Sequence, residues 1–220
     1  MPEVRPATAD DLPAIGASLA AAFADDPVWT WMTGPRADWT PRATDWFSRE
    51  AGAKLRGHAE VLVDDRCRGT AIWAPPGRWR ASTREGLAVA LPSLRLFGRR
   101  TLQGLKLVAM VEKHHPREPH WYLALLGTAP DAQGTGIGGA LISTITRRCD
   151  RDGLPAYLES SKEENVSYYA RHGFEVTEEL RVGGGPTLWA MWREPREPDA
   201  DDLDDLGDLG AAPTEGGGAC

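Results

Sequence analysis

One stretch of the chain joins an apolar segment to a glycine-rich loop and then to an amphipathic helix. It runs from Leu123 to Leu141 and reads LALLGTAPDAQGTGIGGAL. Glycines at this spacing allow the backbone to turn tightly and to approach a ligand closely. Because the N–H groups at the start of a helix attract anions, the loop predicts a cradle for a phosphate or pyrophosphate. The residues that would form it are Gln133, Gly134, Thr135, Gly136, Ile137, Gly138 and Gly139.

The same glycines also satisfy the G-x-G-x-x-G pattern of dinucleotide-binding domains, through Gly134, Gly136 and Gly139. Glu159 lies about where that pattern requires an acidic residue for the ribose. However, a dinucleotide domain begins with this unit and continues in βαβ repeats, whereas roughly half of this chain precedes the loop. The context therefore argues against a dinucleotide fold.

A second motif lies downstream, from Asn165 to Phe174, and reads NVSYYARHGF. In this motif Tyr169 stands four residues before Gly173. Together with the pattern Q-x-x-G-x-G at residues 133–138, it resembles the GNAT acetyltransferase superfamily. Three further segments are similar to the puromycin N-acetyltransferases and related actinobacterial small-molecule N-acetyltransferases, namely Ala21–Met32, Pro116–Gly127 and Gly153–Ser161. That resemblance spans roughly residues 4–193.

The resemblance implies an α/β (mixed α+β) GNAT fold, with a mixed, mostly antiparallel twisted sheet, a splayed parallel strand pair and helices on both faces. It also implies acetyl-CoA as the acyl donor. In the superfamily the strand before the loop separates from the next parallel strand, and its free backbone groups hold the pantetheine arm. Leu126, Gly127 and Thr128 occupy that place here. Asn165 would hydrogen-bond the cofactor, although it is also an ordinary helix N-cap.

Acetyl transfer to an amine requires an unprotonated nucleophile, a polarised carbonyl and a protonated leaving sulfur. The resemblance assigns the proton donor to Tyr169, since a tyrosine with a pKa near 10 can protonate a thiol whose pKa is near 8.5. Tyr168 is expected to face elsewhere, because adjacent helical residues do not share a face. Two residues are candidates for the base: Glu159, on the strand opposite the acetyl group, and His120, at the start of the central strand.

Nine tryptophans are present, and four of them, at positions 29, 31, 39 and 46, concentrate where acetyltransferases of this type build the acceptor pocket. This favours an aromatic acceptor, although large aromatic side chains are mostly buried for packing alone. We assign Trp29 and Trp31 to acceptor binding. Asp26 either holds the substrate ammonium or begins a turn. The segment 73–111 differs from the relatives and is expected to line or cover the acceptor side.

The net charge of −7 comes from the C-terminal end. Residues 197–220 hold eight acidic residues and no basic one, whereas residues 1–196 hold 24 acidic and 25 basic residues. We therefore expect one acetyltransferase domain over 1–196, followed by an acidic, glycine-rich disordered tail over 197–220. The nearly neutral body argues against a nucleic-acid partner. No stretch approaches the length and apolar character of a membrane span.

Three widely spaced cysteines and the lack of a signal pattern at the start of the chain favour a cytoplasmic protein. We expect no metal site, and we expect the histidines at 114, 115 and 120 to be surface or capping groups. The predicted reaction is acetylation of a primary amine of a small molecule, plausibly an antibiotic or aminonucleoside, by a monomer or homodimer. Two alternatives stay open: acetylation of a protein N-terminus or aminoacyl-tRNA, and a non-catalytic acetyl-CoA-binding regulatory domain.

Hydrophobic periodicity and turn residues predict the order of elements. Strands are expected at residues 4–6, 61–63, 70–73, 120–128, 156–160, 174–181 and 187–192. Helices are expected at residues 8–23, 40–56, 84–113 (in two pieces broken near Gly98), 136–152 and 165–172.

Overall fold

The computed structural model describes residues 2–197, so the predicted tail, 197–220, lies outside the described residues except for its first position. Seven strands lie within these residues: β1 (Val4–Pro6), β2 (Glu60–Asp64), β3 (Gly69–Ala74), β4 (Trp121–Thr128), β5 (Ala156–Ser160), β6 (Glu175–Arg181) and β7 (Thr187–Arg193). They form one sheet in the order β1-β2-β3-β4-β5-β7-β6. The neighbours β4 and β5 run parallel, and every other neighbouring pair described is antiparallel. The predicted mixed, mostly antiparallel sheet is confirmed.

Seven α-helices accompany the described part of the sheet: α1 (Leu12–Ala22), α2 (Pro27–Thr33), α3 (Trp39–Leu55), α4 (Thr83–Phe97), α5 (Thr101–His114), α6 (Ile137–Asp152) and α7 (Val166–Arg171). Helices α1, α2 and α3 pack on one face of the sheet, and α6 and α7 pack on the other. Helices on both faces agree with the predicted fold. No helix described here combines the length and apolar character needed to cross a bilayer.

Helix α2 is not among the helices expected from the sequence. Its signals are nevertheless present at its first residues. Asp26 caps the helix by accepting hydrogen bonds from the backbone N–H groups of Val28 and Trp29, at 2.9 and 3.1 Å. Pro27 follows at the first helical position, where its missing N–H costs nothing. This helix carries Trp29 into the core on the α1–α3 side of the sheet.

A β-bulge in β4 shifts the alternation of its side chains. Ile72 of β3 pairs with Leu125 and Trp73 pairs with Leu123, so Ala124 has no partner in this register. As a result Tyr122 and Leu125, three residues apart, both pack on the α1–α3 side of the sheet. A bulge bends the strand that contains it.

The two parallel strands separate immediately beyond this bulge. Strand β4 pairs with β5 only from Trp121 to Leu123, opposite Ala156 to Leu158, although β4 continues to Thr128. Beyond Leu123, β4 keeps its pairing with β3 alone. The backbone of β4 that faces the missing partner is therefore available to a ligand, and the sheet contains a wedge-shaped opening.

Candidate functional site

A cavity of about 940 Å³ lies at this opening and extends to both faces of the sheet. The loop before α6 and helix α7 line one part of it, and residues of α2, α3 and α5 line the other. Among the residues selected from the sequence, those in the cavity wall are Asp26, Trp29, Leu126, Thr128, Gln133, Gly134, Gly136, Ile137, Gly138, Gly139, Glu159, Asn165 and Tyr169. Gly127, Thr135, His120 and Trp31 are not in the wall.

The glycine-rich loop has the backbone conformation that its composition suggested. Gly134 and Gly136 have φ angles of 76° and 86°, in the left-handed region where a side chain is strained. Gly136 is the N-cap of α6, and the first hydrogen bond of that helix runs from Ala140 N to Gly136 O at 3.0 Å. The N–H groups of Ile137, Gly138 and Gly139 therefore have no partner within the helix. Such groups suit a bound phosphate.

The polar side chains of this loop mainly hold its shape. The Thr135 hydroxyl donates to the carbonyl of Ala132 at 2.6 Å, which closes the turn before the helix. The side-chain amide of Gln133 donates to the carbonyl of Thr128 at 3.3 Å, which ties the loop to the end of β4. Because the Thr135 hydroxyl is used in this hydrogen bond, only the backbone of Thr135 is free to contact a ligand.

Tyr168 lies directly over the start of α6. A Cβ atom added to Gly138 would lie 2.6 Å from the Tyr168 hydroxyl oxygen, so a side chain at that position would displace the Tyr168 ring. Both Tyr168 and Tyr169 line the cavity. The expectation that Tyr168 faces elsewhere is therefore wrong, because the ligand space wraps around the short helix α7 rather than touching one face of it.

Tyr169 is 9% exposed and borders the cavity. Burial is the main cause that raises its pKa well above the usual value of 10, and nearby Tyr168 and Asp26 add to the effect. Its hydroxyl is therefore protonated over the whole working range of pH. Asn165 occupies the N-cap position of α7, but its side chain makes no capping hydrogen bond and borders the same cavity.

The three residues at the end of β4 have different surroundings. Leu126 and Thr128 border the cavity. Gly127 is buried against α1, where an added Cβ would lie 2.8 Å from Leu19 Cδ2. The missing side chain at Gly127 thus allows α1 to pack closely on the separated strand, and only the backbone of this residue can serve a ligand.

Glu159 lies on β5 one residue beyond the last β4–β5 pair, and its side chain is only 5% exposed. The hydroxyl of Tyr122 donates to Glu159 Oε2 at 2.8 Å. Burial raises the pKa of Glu159 from 4.5 to about 7, and the hydrogen bond from Tyr122 opposes part of that rise. The carboxyl group is therefore a proton acceptor matched to neutral pH. Sequence reasoning missed Tyr122, because its role depends on the pairing of β4 with β5.

His120 lies behind the cavity wall. Its Nδ1 is 2.7 Å from the backbone carbonyl of Glu118, and its Nε2 is 3.0 Å from Nε2 of His115. Both histidines are buried, which corrects the expectation that they are surface or capping groups. Because His120 lies behind the cavity wall, its position does not support a role as the base that contacts the substrate. Within residues 2–197 no cluster of His, Cys, Asp and Glu residues has a geometry that could hold a metal ion.

Trp29 and Asp26 border the cavity, but Asp26 has both carboxylate oxygens engaged. One caps α2 and the other accepts a hydrogen bond from the Ser161 hydroxyl. Burial raises the pKa of Asp26. Trp31 points away from the cavity and donates from its indole nitrogen to the carbonyl of Gly184 at 2.7 Å. Asp26 was expected either to hold the substrate ammonium or to begin a turn, and in the structure its carboxylate caps α2 instead. The position of Trp31 does not support a role in acceptor binding.

Other residues complete the part of the cavity opposite the glycine loop. Aromatic side chains there include Trp46 and Trp79. Charged groups include Glu50, Lys54 and Glu112, and Lys54 forms ion pairs with Glu50 (3.7 Å) and with Glu85 (3.3 Å). The segment 73–111 contributes residues from the loop after β3 and from α5, namely Trp79, Arg80, Ala81, Leu107, Val108 and Val111.

Comparison with known proteins agrees with this architecture. A family model of the acetyltransferase (GNAT) domain matches residues 101–194. An uncharacterized N-acetyltransferase of Schizosaccharomyces pombe is 31% identical over an alignment of 187 residues, and the match covers 78% of this chain and 74% of the relative. A crystal structure described as histone acetyltransferase HPA2 and related acetyltransferase, from Corynebacterium glutamicum, is 26% identical with a TM-score of 0.67, covering 90% of this chain and 99% of that one.

An agmatine N-acetyltransferase in its apo form shares the fold, with a TM-score of 0.59 and 16% identity over 87% of this chain and 98% of that one. The splayed strands, the glycine loop and these relatives together define the class as acyltransferases. The chain belongs to the GNAT acetyltransferase superfamily and is an N-acetyltransferase.

Proposed function

We propose that the protein transfers an acetyl group from acetyl-CoA to a primary amine of a small molecule that carries an aromatic group. The observation that carries this proposal is the position of Glu159. Its buried carboxyl, with a pKa of about 7, shares one cavity with Tyr169 and with the glycine-rich loop. A proton acceptor, a proton donor and an anion cradle are the parts that acetyl transfer to an amine requires.

The donor half of the cavity fits acetyl-CoA. This cosubstrate supplies an acetyl group activated as a thioester. The N–H groups of Ile137, Gly138 and Gly139 would hold its pyrophosphate, because a helix N-terminus offers several free donors together. The separated backbone of residues 126–128 would hold the pantetheine arm, and the Asn165 side chain would add a hydrogen bond.

Glu159 would remove the proton of the acceptor ammonium. An amine attacks only in its neutral form, and a carboxylate with a pKa near neutrality accepts a proton more readily than an exposed one does. The hydrogen bond from Tyr122 holds the Oε2 atom, so that the carboxyl keeps one orientation at the opening. An intervening water molecule would extend the reach of Glu159 by one hydrogen bond.

Tyr169 would deliver a proton to the leaving sulfur. Its raised pKa keeps the hydroxyl protonated throughout the neutral and mildly alkaline range in which Glu159 is ionised. The hydroxyl thus remains a donor under the conditions in which the base is active. Tyr169 and Glu159 come from opposite layers of the fold, α7 and β5, and border the cavity between them.

The acceptor half of the cavity suits an aromatic amine. Trp29, Trp46, Trp79 and Tyr122 offer aromatic faces, and the exposed carboxylate of Glu112 would attract a cationic group. An aminonucleoside such as puromycin combines an aromatic ring with a primary amine, and three sequence segments resemble the puromycin N-acetyltransferases. Puromycin is therefore the first acceptor to test, and an antibiotic-inactivating role would follow from its acetylation.

The test is thiol release from acetyl-CoA by the purified protein, with mass spectrometry of the products. The amines should include puromycin, arylalkylamines, agmatine, a peptide with a free N-terminus and an aminoacyl-tRNA. We expect an acetylated product with an aromatic small amine, and we expect Tyr169→Phe to abolish most of it. Acetylation of the peptide or the tRNA alone would replace the proposal by a macromolecular acceptor. Binding of acetyl-CoA without thiol release from any amine would indicate a regulatory domain.

A further inference from the structure

Two buried atoms beside the cavity face each other without a hydrogen-bond partner. His115 Nδ1 lies 3.9 Å from Glu159 Oε1, and both side chains are almost fully shielded from solvent. Within residues 2–197 neither atom makes a hydrogen bond. Buried polar atoms normally have partners. At 3.9 Å the two atoms are too far apart for a hydrogen bond, but a small movement of either side chain would bring them within reach. The Tyr157 hydroxyl, also buried and without a hydrogen bond to the described part of the chain, is a second group that acts on Glu159.

The hydrogen bonds behind His115 fix which of its nitrogens carries the proton. The Glu118 carbonyl can only accept, so the His120 Nδ1 at 2.7 Å must donate to it. A neutral His120 then has a bare Nε2, which must accept from the Nε2–H of His115 at 3.0 Å. A neutral His115 is left with a bare Nδ1, and this is the atom that faces Glu159. Burial lowers the pKa of His115 to about 3 and lowers that of His120 as well, so both rings are neutral.

Aromatic neighbours hold the His115 ring in this orientation. The indole of Trp79 stacks on it with ring centroids 3.7 Å apart, and Tyr122 and Tyr157 meet it edge-on at 4.8 and 5.1 Å. A lone pair therefore points at Glu159 Oε1 from a ring that has little room to turn. The lone pair on His115 Nδ1 repels the ionised carboxylate of Glu159. When Glu159 is protonated, the same lone pair can accept a hydrogen bond from the carboxyl group.

We propose that His115 raises the proton affinity of Glu159, because its bare Nδ1 accepts a hydrogen bond from the carboxyl once Glu159 has taken a proton from the acceptor ammonium. This inference rests on the proposed role of Glu159 as the base. In the step, an N–H bond of the ammonium breaks and an O–H bond forms on Glu159 Oε1, while His115 stays neutral. The proton returns to solvent when the product leaves. His115 and His120 are positioning residues, since neither contacts the substrate.

Other titratable and charged groups surround the pair. They are Tyr122 on β4, Tyr157 on β5, His120 before β4, Arg80 in the loop after β3, Glu112 on α5 and Glu178 on β6. The hydroxyls of Tyr122 and Tyr157 both lower the pKa of Glu159, so they oppose the proposed effect. Arg80 lowers the pKa of His115 and keeps its ring neutral.

The test compares the wild type with His115→Gln and with His114→Gln as a matched control. A glutamine at 115 places an amide near the former Nε2 position, where it can still donate to His120, but it has no acceptor at the Nδ1 position. His114 is the adjacent histidine, and its Nδ1 instead faces Glu178 at the surface. The carboxyl-carbon NMR signal of Glu159, assigned with Glu159→Gln, is followed against pH in isotopically labelled protein without substrate.

We expect the Glu159 midpoint to fall by about one pH unit in His115→Gln, the size that corresponds to one hydrogen bond, and to stay unchanged in His114→Gln. The pH below which kcat/KM falls should shift downward by the same amount as the Glu159 midpoint. An unchanged midpoint in a folded His115→Gln protein would overturn the proposal. Because the titration needs no acceptor, it decides this question even if the amine panel fails.

A second measurement requires no variant. Long-range proton–nitrogen NMR spectra distinguish the two neutral tautomers of each histidine. We expect the Nε2–H form for His115 and the Nδ1–H form for His120. An Nδ1–H form for His115 would overturn the proposal, because that nitrogen would then donate to Glu159 and lower its pKa.

Discussion

The hydroxyl of Tyr122 donates to Glu159 Oε2 at 2.8 Å, across the point where the strands that carry the two residues separate. Tyr122 belongs to the last stretch of β4 that pairs with β5, and Glu159 is the first residue of β5 beyond it. The bulge at Ala124 bends β4 away just past this contact. The separation of β4 from β5 opens the sheet for a ligand, and the same geometry fixes the buried carboxyl group of Glu159 at the edge of that opening.

Tyr169→Phe should lower kcat by about 10²-fold or more, because the leaving sulfur loses its proton donor. The affinity for acetyl-CoA should stay near that of the wild type, since phenylalanine preserves the packing. Tyr168→Phe is the matched variant from the neighbouring position, and its kcat should change only a few-fold. Steady-state kinetics and calorimetry measure both quantities. Equal losses of kcat in the two variants would remove Tyr169 from the role of proton donor.

Glu159→Gln should raise the stability of the protein at alkaline pH. Since folding raises the pKa of Glu159 from 4.5 to about 7, ionisation of this group opposes folding. The cost is absent below pH 4.5, grows between these values and is complete above about pH 7, where it amounts to about 3 kcal/mol. A glutamine at position 159 does not ionise, so this cost disappears, and its side-chain oxygen can still accept the hydrogen bond from Tyr122.

Thermal unfolding at pH 8 and at pH 4 measures this effect. Glu164→Gln is the control, because Glu164 borders the same cavity but is exposed. We expect a higher Tm for Glu159→Gln at pH 8 only, and little change for Glu164→Gln at either pH. A lower Tm for Glu159→Gln at pH 8 would show that the ionised carboxyl stabilises the fold.

Gly136→Val should abolish measurable binding of acetyl-CoA. The φ angle of 86° at Gly136 is strained for valine, so the loop must change shape and its N–H groups must turn. Gly153→Val is the matched control, because Gly153 lies at the opposite end of α6 with a φ of 65°. Both variants should lose stability, but only Gly136→Val should lose affinity by calorimetry. Unchanged affinity in Gly136→Val would refute the cradle.

Trp46→Phe should raise the KM of the acceptor up to about 10-fold, and leave that of acetyl-CoA unchanged. Trp46 borders the cavity and donates to the Ser93 hydroxyl at 2.8 Å. Trp39→Phe is the control, since Trp39 loses an equivalent hydrogen bond to Ala20 at 2.8 Å but lies outside the cavity wall. An equal rise of the acceptor KM in both variants would indicate a general loosening of the aromatic cluster.

Local sequence patterns were sufficient to predict most of the helices and strands and the glycine-rich loop before α6. The positions of Gly136 and Tyr169 follow from motifs within a few residues, and the strand limits follow from alternation of apolar residues. Helix α2 was missed because seven residues give too few turns for a periodic signal. The pair Asp26-Pro27, a capping residue followed by proline, was the available clue.

The polar partners of Glu159 could not be found in this way. Tyr122 is 37 positions away along the chain, and its role depends on the register of two strands that the loop and helix α6 separate in the sequence. His115 lies outside any motif, and its importance arises from a contact with the far end of β5. Trp31 was assigned to the pocket because it lies in the segment where acetyltransferases of this type build the acceptor pocket, whereas the turn of α2 directs Trp29 inward and Trp31 toward Gly184.

The pH dependence of thiol release tests the central claim most directly, measured from about pH 5 to pH 9 with the best acceptor, for the wild type and Glu159→Gln side by side. We expect the wild-type kcat/KM to fall as pH drops below about 7, because Glu159 becomes protonated. Glu159→Gln should lose about 10²-fold in kcat/KM together with this limb of the profile. A Glu159→Gln enzyme that keeps both the wild-type rate and the wild-type profile would contradict the account.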